Sequence, residues 1–318
     1  MAETKIEWVI GPDGSRGHTV NPIRFKNIET GKVGHYCEKI SAGCANCYAS
    51  RMQSPYLSGL EYVASNRSKG SLFLDEAVLE SAQRRRKPTG YFWCDMTDLF
   101  GDWVPGEWID RCLDAMSITP HHRHYVLTKR PERARGLFLE QATRRIKPPE
   151  SMWLGVSVEN QRSADERIPH LLATPAAVRF LSVEPLLGPV SFQWAKWDDG
   201  SPHPRRAKQV PPVESDGKII AGCRSHLDGL KMLDWVIVGG ESGPGARPCE
   251  LEWIRSIVRQ CAEANVPCFV KQLGTAWVRE GWEMSHSIGE TWAGKKGNNP
   301  DHWPPDLNVR QYPEVSRG

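Results

Sequence analysis

Short apolar runs punctuate the chain, each followed by a polar turn and usually by a stretch of helical periodicity. The clearest are Tyr91–Cys94, His124–Leu127, Met152–Val156, Val178–Val183, Trp235–Val238 and Pro267–Val270. Their near-continuous apolar character predicts strands buried on both faces. Between them, Glu107–Met116, Pro131–Arg144 and Glu250–Ala264 carry apolar residues at helical spacing and predict amphipathic helices. Pro131 suits the first turn of its helix, where a missing N–H does no harm. Strand alternating with helix gives parallel βαβ units. Six or more of them predict an α/β fold, a partial parallel (β/α) barrel of about six to seven strands, with a doubly wound open sheet as the alternative.

Two regions break the rhythm. Residues 191–232, with Asp198-Asp199-Gly200-Ser201-Pro202 and Pro211-Pro212, read as an insertion carrying Cys223. Residues 275–318, rich in Trp, Gly and Pro, show no barrel pattern and read as an irregular extension packed on a 1–274 barrel. The 318-residue length suits one barrel-sized domain. Formal net charge is only +3, so charge alone does not mark a nucleic-acid binder. No apolar run is long enough to span a membrane, and Met1–Trp8 lacks the apolar core of a secretory signal. A cytoplasmic protein is expected.

In parallel barrels the working groups sit just past the C-terminal ends of the strands. Here those positions are polar again and again: Asp95-Met96-Thr97-Asp98, Thr128-Lys129-Arg130, Ser157 with Glu159 and Asn160, Glu184, Gly239-Gly240-Glu241-Ser242-Gly243, and Lys271-Gln272. A single charge after a strand is usually a solvated loop position. Six in succession predict a shared site at one mouth.

Nine cysteines with no export signal point to metal before disulfides. Cys112, Cys261 and Cys268 lie in apolar contexts and read as core residues. Cys37-x6-Cys44-x2-Cys47 is the strongest motif, in a Gly-containing loop before a helix expected over 49–63. Three thiolates so close repel one another unless a cation neutralises them. A [4Fe–4S] cubane held by three cysteines leaves one iron open for a substrate ligand. A closed zinc site needs a fourth ligand, which His35, Cys223 or Cys249 would have to supply. A structural loop without metal is the bland alternative. Gly239–Gly243 lets backbone approach a ligand, with Glu241 as an acceptor, and by itself reads equally as a tight turn.

Several segments carry a resemblance: Thr4–Trp8, Ile40–Ala49 (ISAGCANCYA), Asp95–Phe100 (DMTDLF), Leu127–Arg133 (LTKRPER), Leu154–Gln161 (LGVSVENQ), Leu181–Pro189 (LSVEPLLGP) and Val236–Gly243. In this order, over most of residues 4–274, the chain resembles a phage and prophage protein family that is itself similar to radical SAM enzymes. The resemblance implies a radical SAM-type barrel, a [4Fe–4S] cluster on Cys37, Cys44 and Cys47, and S-adenosylmethionine (SAM) chelating the fourth iron. It implies Tyr48 near the adenine, Asp95, Met96 and Asp98 near the SAM amino group, Ser157 and Glu159 near its ribose or carboxylate, and Gly239 and Gly240 beside the cofactor. Lys129, Glu184, Glu241 and Lys271 are the implied catalytic groups. The six-residue gap between the first two cysteines and the aromatic residue after the third depart from the usual radical SAM pattern. Gly11–Asn21 reads as a lid or substrate loop.

The chemistry so implied is reductive cleavage of SAM to methionine and a 5′-deoxyadenosyl radical that takes hydrogen from a substrate, fed by an electron donor such as flavodoxin or ferredoxin. Arg84-Arg85-Arg86-Lys87, Arg123, Arg130 with Arg133 and Arg135, Arg144-Arg145 and Arg205-Arg206-Lys208, with thirteen tryptophans, supply charge and stacking surfaces for a nucleic acid. Solvated faces and core packing are the ordinary uses of the same residues. A phage setting makes a modified thymine base a sensible substrate. The alternatives are a radical SAM enzyme acting on a protein or metabolite, and a non-enzymatic zinc-binding nucleic-acid module.

Overall fold

The computed structural model describes residues 1–12, 14–193, 214–215, 218–219, 227–285 and 294–314. Its centre is an eight-stranded sheet curled into a partial barrel. In chain order the strands are β1 (Ala2–Thr4), β2 (Gly17–Val20), β3 (Ile23–Asn27), β4 (Val33–Gly34), β5 (Gly70–Leu74), β6 (Gly90–Trp93), β7 (Arg123–Thr128), β8 (Met152–Ser157), β9 (Val178–Val183), β10 (Glu214–Ser215), β11 (Lys218–Ile219), β12 (Trp235–Gly239) and β13 (Cys268–Gln272). The helices are α1 (Tyr48–Tyr56), α2 (Glu76–Arg84), α3 (Gly106–Ser117), α4 (Pro131–Thr143), α5 (Gln161–Leu172), α6 (Leu251–Ala264) and α7 (Thr275–Ser285).

The large sheet runs β1-β2-β6-β7-β8-β9-β12-β13. Every pairing from β2 to β13 is parallel, and only the edge strand β1 is antiparallel. All six apolar runs became strands of it. The sheet exceeds the expected six to seven strands through β1 and β2, which are too short and too polar to show as apolar runs. Gly11–Asn21 is therefore no lid, because it contains β2, paired to β6 from Gly17↔Gly90 to Val20↔Trp93.

Alternation along the strands separates two cores. Tyr91, Val126, Leu154, Leu181, Val236 and Val270 face the helices. Phe92, Tyr125, Trp153, Phe180, Trp235 and Phe269 face the concave side, where Trp8 plugs the centre. Trp8 sits 4.9 Å from Phe92, 5.4 Å from Tyr125 and 5.9 Å from Phe180, ring centre to ring centre. Such pairs add about 0.5–1.5 kcal/mol each beyond burial. Gly155 leaves the space that the Phe180 ring fills, since a Cβ there would stand 2.4 Å from it. This aromatic filling replaces the second helical layer that a doubly wound sheet would need. The described tryptophans also answer the stacking expectation. Trp8, Trp93, Trp103, Trp153, Trp235 and Trp303 are buried, and Trp108, Trp253 and Trp277 pack against the core.

A smaller antiparallel sheet, β4-β3-β5, stands beside the barrel. The connection from β4 to β5 carries the cysteine loop and α1. That helix ends at Tyr56, well short of the expected residue 63, because Gly59 (φ 76°) turns the chain and both Leu57 and Gly59 donate their N–H to the Gln53 carbonyl. Most of the insertion expected over 191–232, and Cys223 with it, falls outside the described residues; within it, β10 and β11 pair antiparallel. Residues 294–314 return along β13, with Val270 N–H donating to Val309 and Gln311 N–H to Cys268.

Candidate functional site

Because the strands run parallel, their C-terminal ends open on one side, and the concave face turns polar there. Above the layer of Phe180 and Trp235 come Ser157 and Ser182, which are in register, then Lys129, Glu184 and Lys271. These residues and the cysteine loop enclose a cavity of about 250 Å³ floored by Trp8, Phe92 and Leu127. Cys37, Cys44, Cys47, Tyr48, Asp95, Met96, Asp98, Lys129, Ser157, Glu184, Gly240, Glu241 and Lys271 all line it. Of the residues expected at the site, Glu159 and Gly239 lie just behind the wall.

The three cysteines are free thiols, each half-buried. Cys37 and Cys47 pack with Ala49, Tyr62 and Met96. Burial pushes the Cys37 thiol up to about 12, helped by the Asp98 carboxylate and the other two sulfurs and opposed by Arg130. Burial acts the same way on Cys44. There the Lys129 ammonium, with hydrogen bonds from the Ile40 and Ser41 backbone and the Ser41 hydroxyl, outweighs it and brings the thiol below its ordinary value. Among the described residues no three His, Cys, Asp or Glu groups converge tightly enough to hold a single metal ion. Of the three fourth ligands the zinc alternative calls on, Cys223 lies outside the described residues, and the other two stand apart from the cysteines. His35 is buried with Nδ1 3.0 Å from the Ile23 carbonyl and Nε2 3.3 Å from Arg24, and neither it nor Cys249 lines the cavity. A further cysteine, Cys94, does line it, but burial raises its thiol far above the usual range, and Cys112, Asp95 and Asp98 are the charges that act on it.

Long-range ties hold the loop over the barrel. Ser41 Oγ donates to Glu159 Oε1 (2.6 Å), and Glu159 is buried against Arg167 at 2.9 Å. Gly43 permits this approach, since a Cβ there would stand 2.5 Å from the Glu159 side chain. Asn46, between the second and third cysteines, donates to Glu241 Oε2 and to the Gly245 carbonyl, both at 2.9 Å. Arg247 also donates to both Glu241 oxygens, at 2.6 and 3.0 Å, so despite partial burial this carboxyl stays below the usual range. Glu241 thus anchors the loop, with all its strong bonds made inside the chain. Asp98 is similarly occupied. It accepts from the Thr128 hydroxyl (2.8 Å), the Lys129 and Phe100 N–H groups (3.0 Å each) and Arg130 (3.2 Å).

Other groups remain open toward the cavity. Lys129 Nζ donates to Ser157 Oγ at 3.1 Å and stands 3.9 Å from Glu159. Lys271 Nζ lies 3.2 Å from Glu184 Oε2, while Glu184 Oε1 is buried with no donor among the described residues. Burial raises the Glu184 carboxyl, and Lys271 offsets part of that rise. The Trp8 indole N–H is likewise buried and unpaired among the described residues. Asp95 accepts from Asn21 (2.6 Å) and from the Tyr48 hydroxyl (2.7 Å), yet burial keeps its carboxyl above the usual value. Asn21, Ser41, Asn46 and Trp8 were not legible as site residues. Each works through partners 74 to 195 positions away, or through ring contacts between elements.

The basic segments divide by end. Arg84–Lys87 precede β6, Arg123 begins β7 and Arg144-Arg145 precede β8, so all lie at the N-terminal end of the strands, opposite the cavity. Arg130 lines the cavity, its guanidinium 4.5 Å above the Trp103 ring. Arg133 is spent on the Gly101 and Val104 carbonyls. Residues 205–208 lie outside the described set.

Fold and site together define a partial α/β barrel with a thiol-lined cavity at the C-terminal ends of its strands. Residues 21–301 match the model of the family described as "Protein of unknown function (DUF5131)", and the chain belongs to that family. No curated protein and no solved structure matches it. No helix among the described residues is long and apolar enough to cross a membrane.

Proposed function

We propose that the chain is a radical SAM-type enzyme that carries a [4Fe–4S] cluster on Cys37, Cys44 and Cys47. The carrying observation is that these three free thiols line one cavity at the strand C-termini, while His35 and Cys249 stay outside it. The donor set fits the group: soft thiolates suit an iron–sulfur centre, and three of them leave one iron open. When bound, the reduced cluster supplies the electron that cleaves SAM to methionine and a 5′-deoxyadenosyl radical.

The chain's own part is positioning and exclusion of water. Glu159 and Glu241 hold the two halves of the cysteine loop through Ser41 and Asn46. Asp98 fixes the turn that presents Lys129, and so acts as a positioning residue. Tyr48, locked to Asp95, lines the same cavity as Met96 and Ser157, where SAM would lie. Lys129 and Lys271 present cations suited to a carboxylate or phosphate. Glu184, with one oxygen that meets no donor among the described residues, would accept an N–H or O–H of the substrate. The ring of cations at the mouth suits a nucleotide or a flipped-out base, including a modified thymine. The segments 84–87 and 144–145 face away from that mouth and give this substrate no support.

Anaerobic reconstitution tests the reading. The brown protein is expected to hold about four irons and four sulfides, and to release 5′-deoxyadenosine from SAM when reduced with dithionite. Cys37→Ala, Cys44→Ala or Cys47→Ala abolishes the spectrum, and Cys112→Ala leaves it intact. Stoichiometric zinc without sulfide would overturn the proposal, and S-adenosylhomocysteine as sole product would make the chain a conventional methyltransferase.

A further inference from the structure

Strands β9, β12 and β13 lie side by side in the sheet, and their concave positions follow one another in steps of two toward the mouth. Phe180 leads to Ser182 and Glu184, Ile237 to Gly239, and Phe269 to Lys271. Gly239 therefore stands between Glu184 and Lys271 with no side chain of its own. A Cβ there would lie 2.8 Å from Glu184 Oε1 and 2.9 Å from the Gln272 carbonyl. The glycine leaves the room in which Glu184 crosses β12 and sets its Oε2 3.2 Å from Lys271 Nζ.

The two lysines of the cavity differ in their charge surroundings. Lys129 Nζ bonds to a neutral hydroxyl, Ser157 Oγ at 3.1 Å, and its carboxylate neighbour, Glu159 at 3.9 Å, already pairs with Arg167 at 2.9 Å. Lys271 faces a carboxylate of its own, and the further charges that act on Glu184 are Glu7 and Lys296, one of each sign. An anion entering beside Lys271 meets the Glu184 carboxylate, and a cation entering beside Glu184 meets the Lys271 ammonium. This end offers one hydrogen bond of each kind instead. Glu184 Oε1 is buried and meets no donor among the described residues, while the Lys271 ammonium has more N–H groups than its one bond to Glu184 uses. A buried acceptor left without a donor is costly, and a ligand that supplies the donor recovers that cost.

Resting on the reading above that this cavity receives the substrate, we propose that its Glu184–Lys271 end binds a neutral amide edge of that substrate, with the N–H given to Glu184 Oε1 and the carbonyl taken by Lys271. A carboxamide and the imide edge of a pyrimidine both carry this pair of groups side by side. A carboxylate, a phosphate or an amine does not, so this end rejects charged analogues of the same shape. Lys129 stays available to an anion elsewhere on the same molecule. The floor of Trp8, Phe92 and Leu127 suits a flat ring that carries the edge. Gly239 is a positioning residue, acting through the pair that it lets form.

The test uses full-length protein after anaerobic reconstitution, at about pH 8, where free carboxylates and aliphatic amines are charged. The probes are benzamide, N,N-dimethylbenzamide, 1-methylthymine, benzoate and benzylamine, with binding read by saturation-transfer NMR. Benzamide should bind about tenfold tighter than benzoate, benzylamine or N,N-dimethylbenzamide, which has no N–H. 1-Methylthymine separates a nucleobase edge from an open carboxamide, and selection of either over the charged probes supports the proposal. Glu184→Gln leaves Lys271 unanswered and should raise benzoate affinity about tenfold, and Lys271→Met should do the same for benzylamine. A pair that served the fold alone would not exchange the charge that the cavity selects. Benzoate or benzylamine held by the brown parent as tightly as the neutral probes would overturn this proposal alone. So would no binding of either neutral probe at about 10 mM, where ligands of this size are expected to bind. A colourless protein that still selects the neutral probes would overturn the cluster reading and leave the amide site standing.

Discussion

At the N-terminal end of the parallel strands, polar groups bond to the turns nearest them. His121 and His122 both approach the Arg85 carbonyl, and His124 bridges Trp93 and the Thr119 turn. At the C-terminal end the same kinds of group reach much further, as Ser41 does to Glu159 and Asn46 to Glu241. Local bonding closes each βα unit and contributes stability. The distant ties hold a thiol-bearing loop over a cavity, so one end of the barrel secures the fold and the other builds the site.

Removing a tie should hurt most. Glu159 is 1% exposed and shares its charge with Arg167 and its second oxygen with Ser41. Glu159→Ala leaves Arg167 buried without its partner, and a loss of about 3–5 kcal/mol is expected in urea titration. The cysteine loop should also become more accessible to a thiol reagent. A variant as stable as the parent would show that the tie holds nothing.

The N-terminal end should answer to acid instead. Burial, against a hydrogen bond to the Thr119 carbonyl, brings His124 down to about 3 from an ordinary 6.5, and the Trp93 indole N–H donates to its Nδ1 at 3.0 Å. The neutral ring therefore donates from Nε2 to Thr119. Since the folded value lies below the unfolded one, the unfolded chain binds the extra proton between them. The contribution is complete above about pH 6.5 and is lost as pH falls toward 3. Between pH 7.5 and 5 the parent should lose about 2 kcal/mol more than His124→Gln, which cannot titrate. Parallel stability curves for the two proteins would refute the assignment.

The smallest effect is expected for the exposed cations of that end. Arg86→Ala with Lys87→Ala should shift stability by no more than about 0.5 kcal/mol. On the proposed radical SAM reading, formation of 5′-deoxyadenosine should be unchanged, because these residues lie at the end of the strands opposite the cavity. A clear drop in turnover would mean that substrate reaches across both ends.

Periodicity and local spacing made the strands legible. Runs such as Val178–Val183 are buried on both faces and leave little else for the chain to do. The cysteine spacing and the recurrent polar residue after each strand likewise announced the mouth, because a parallel sheet sends all its C-terminal ends to one side. What the sequence could not carry was the division of labour among those polar residues. Glu184, Asp98 and Glu241 look alike along the chain, yet among the described residues Glu184 keeps one oxygen without a donor while the other two spend theirs on Thr128, Arg130, Asn46 and Arg247. The aromatic plug and the seating of Glu184 over Gly239 were equally hidden, since both depend on which side of an element meets another element. Local pattern determines where strands and helices form. Only tertiary packing decides which buried carboxylate is satisfied and which keeps an oxygen toward the cavity, because that depends on partners brought together from distant parts of the chain.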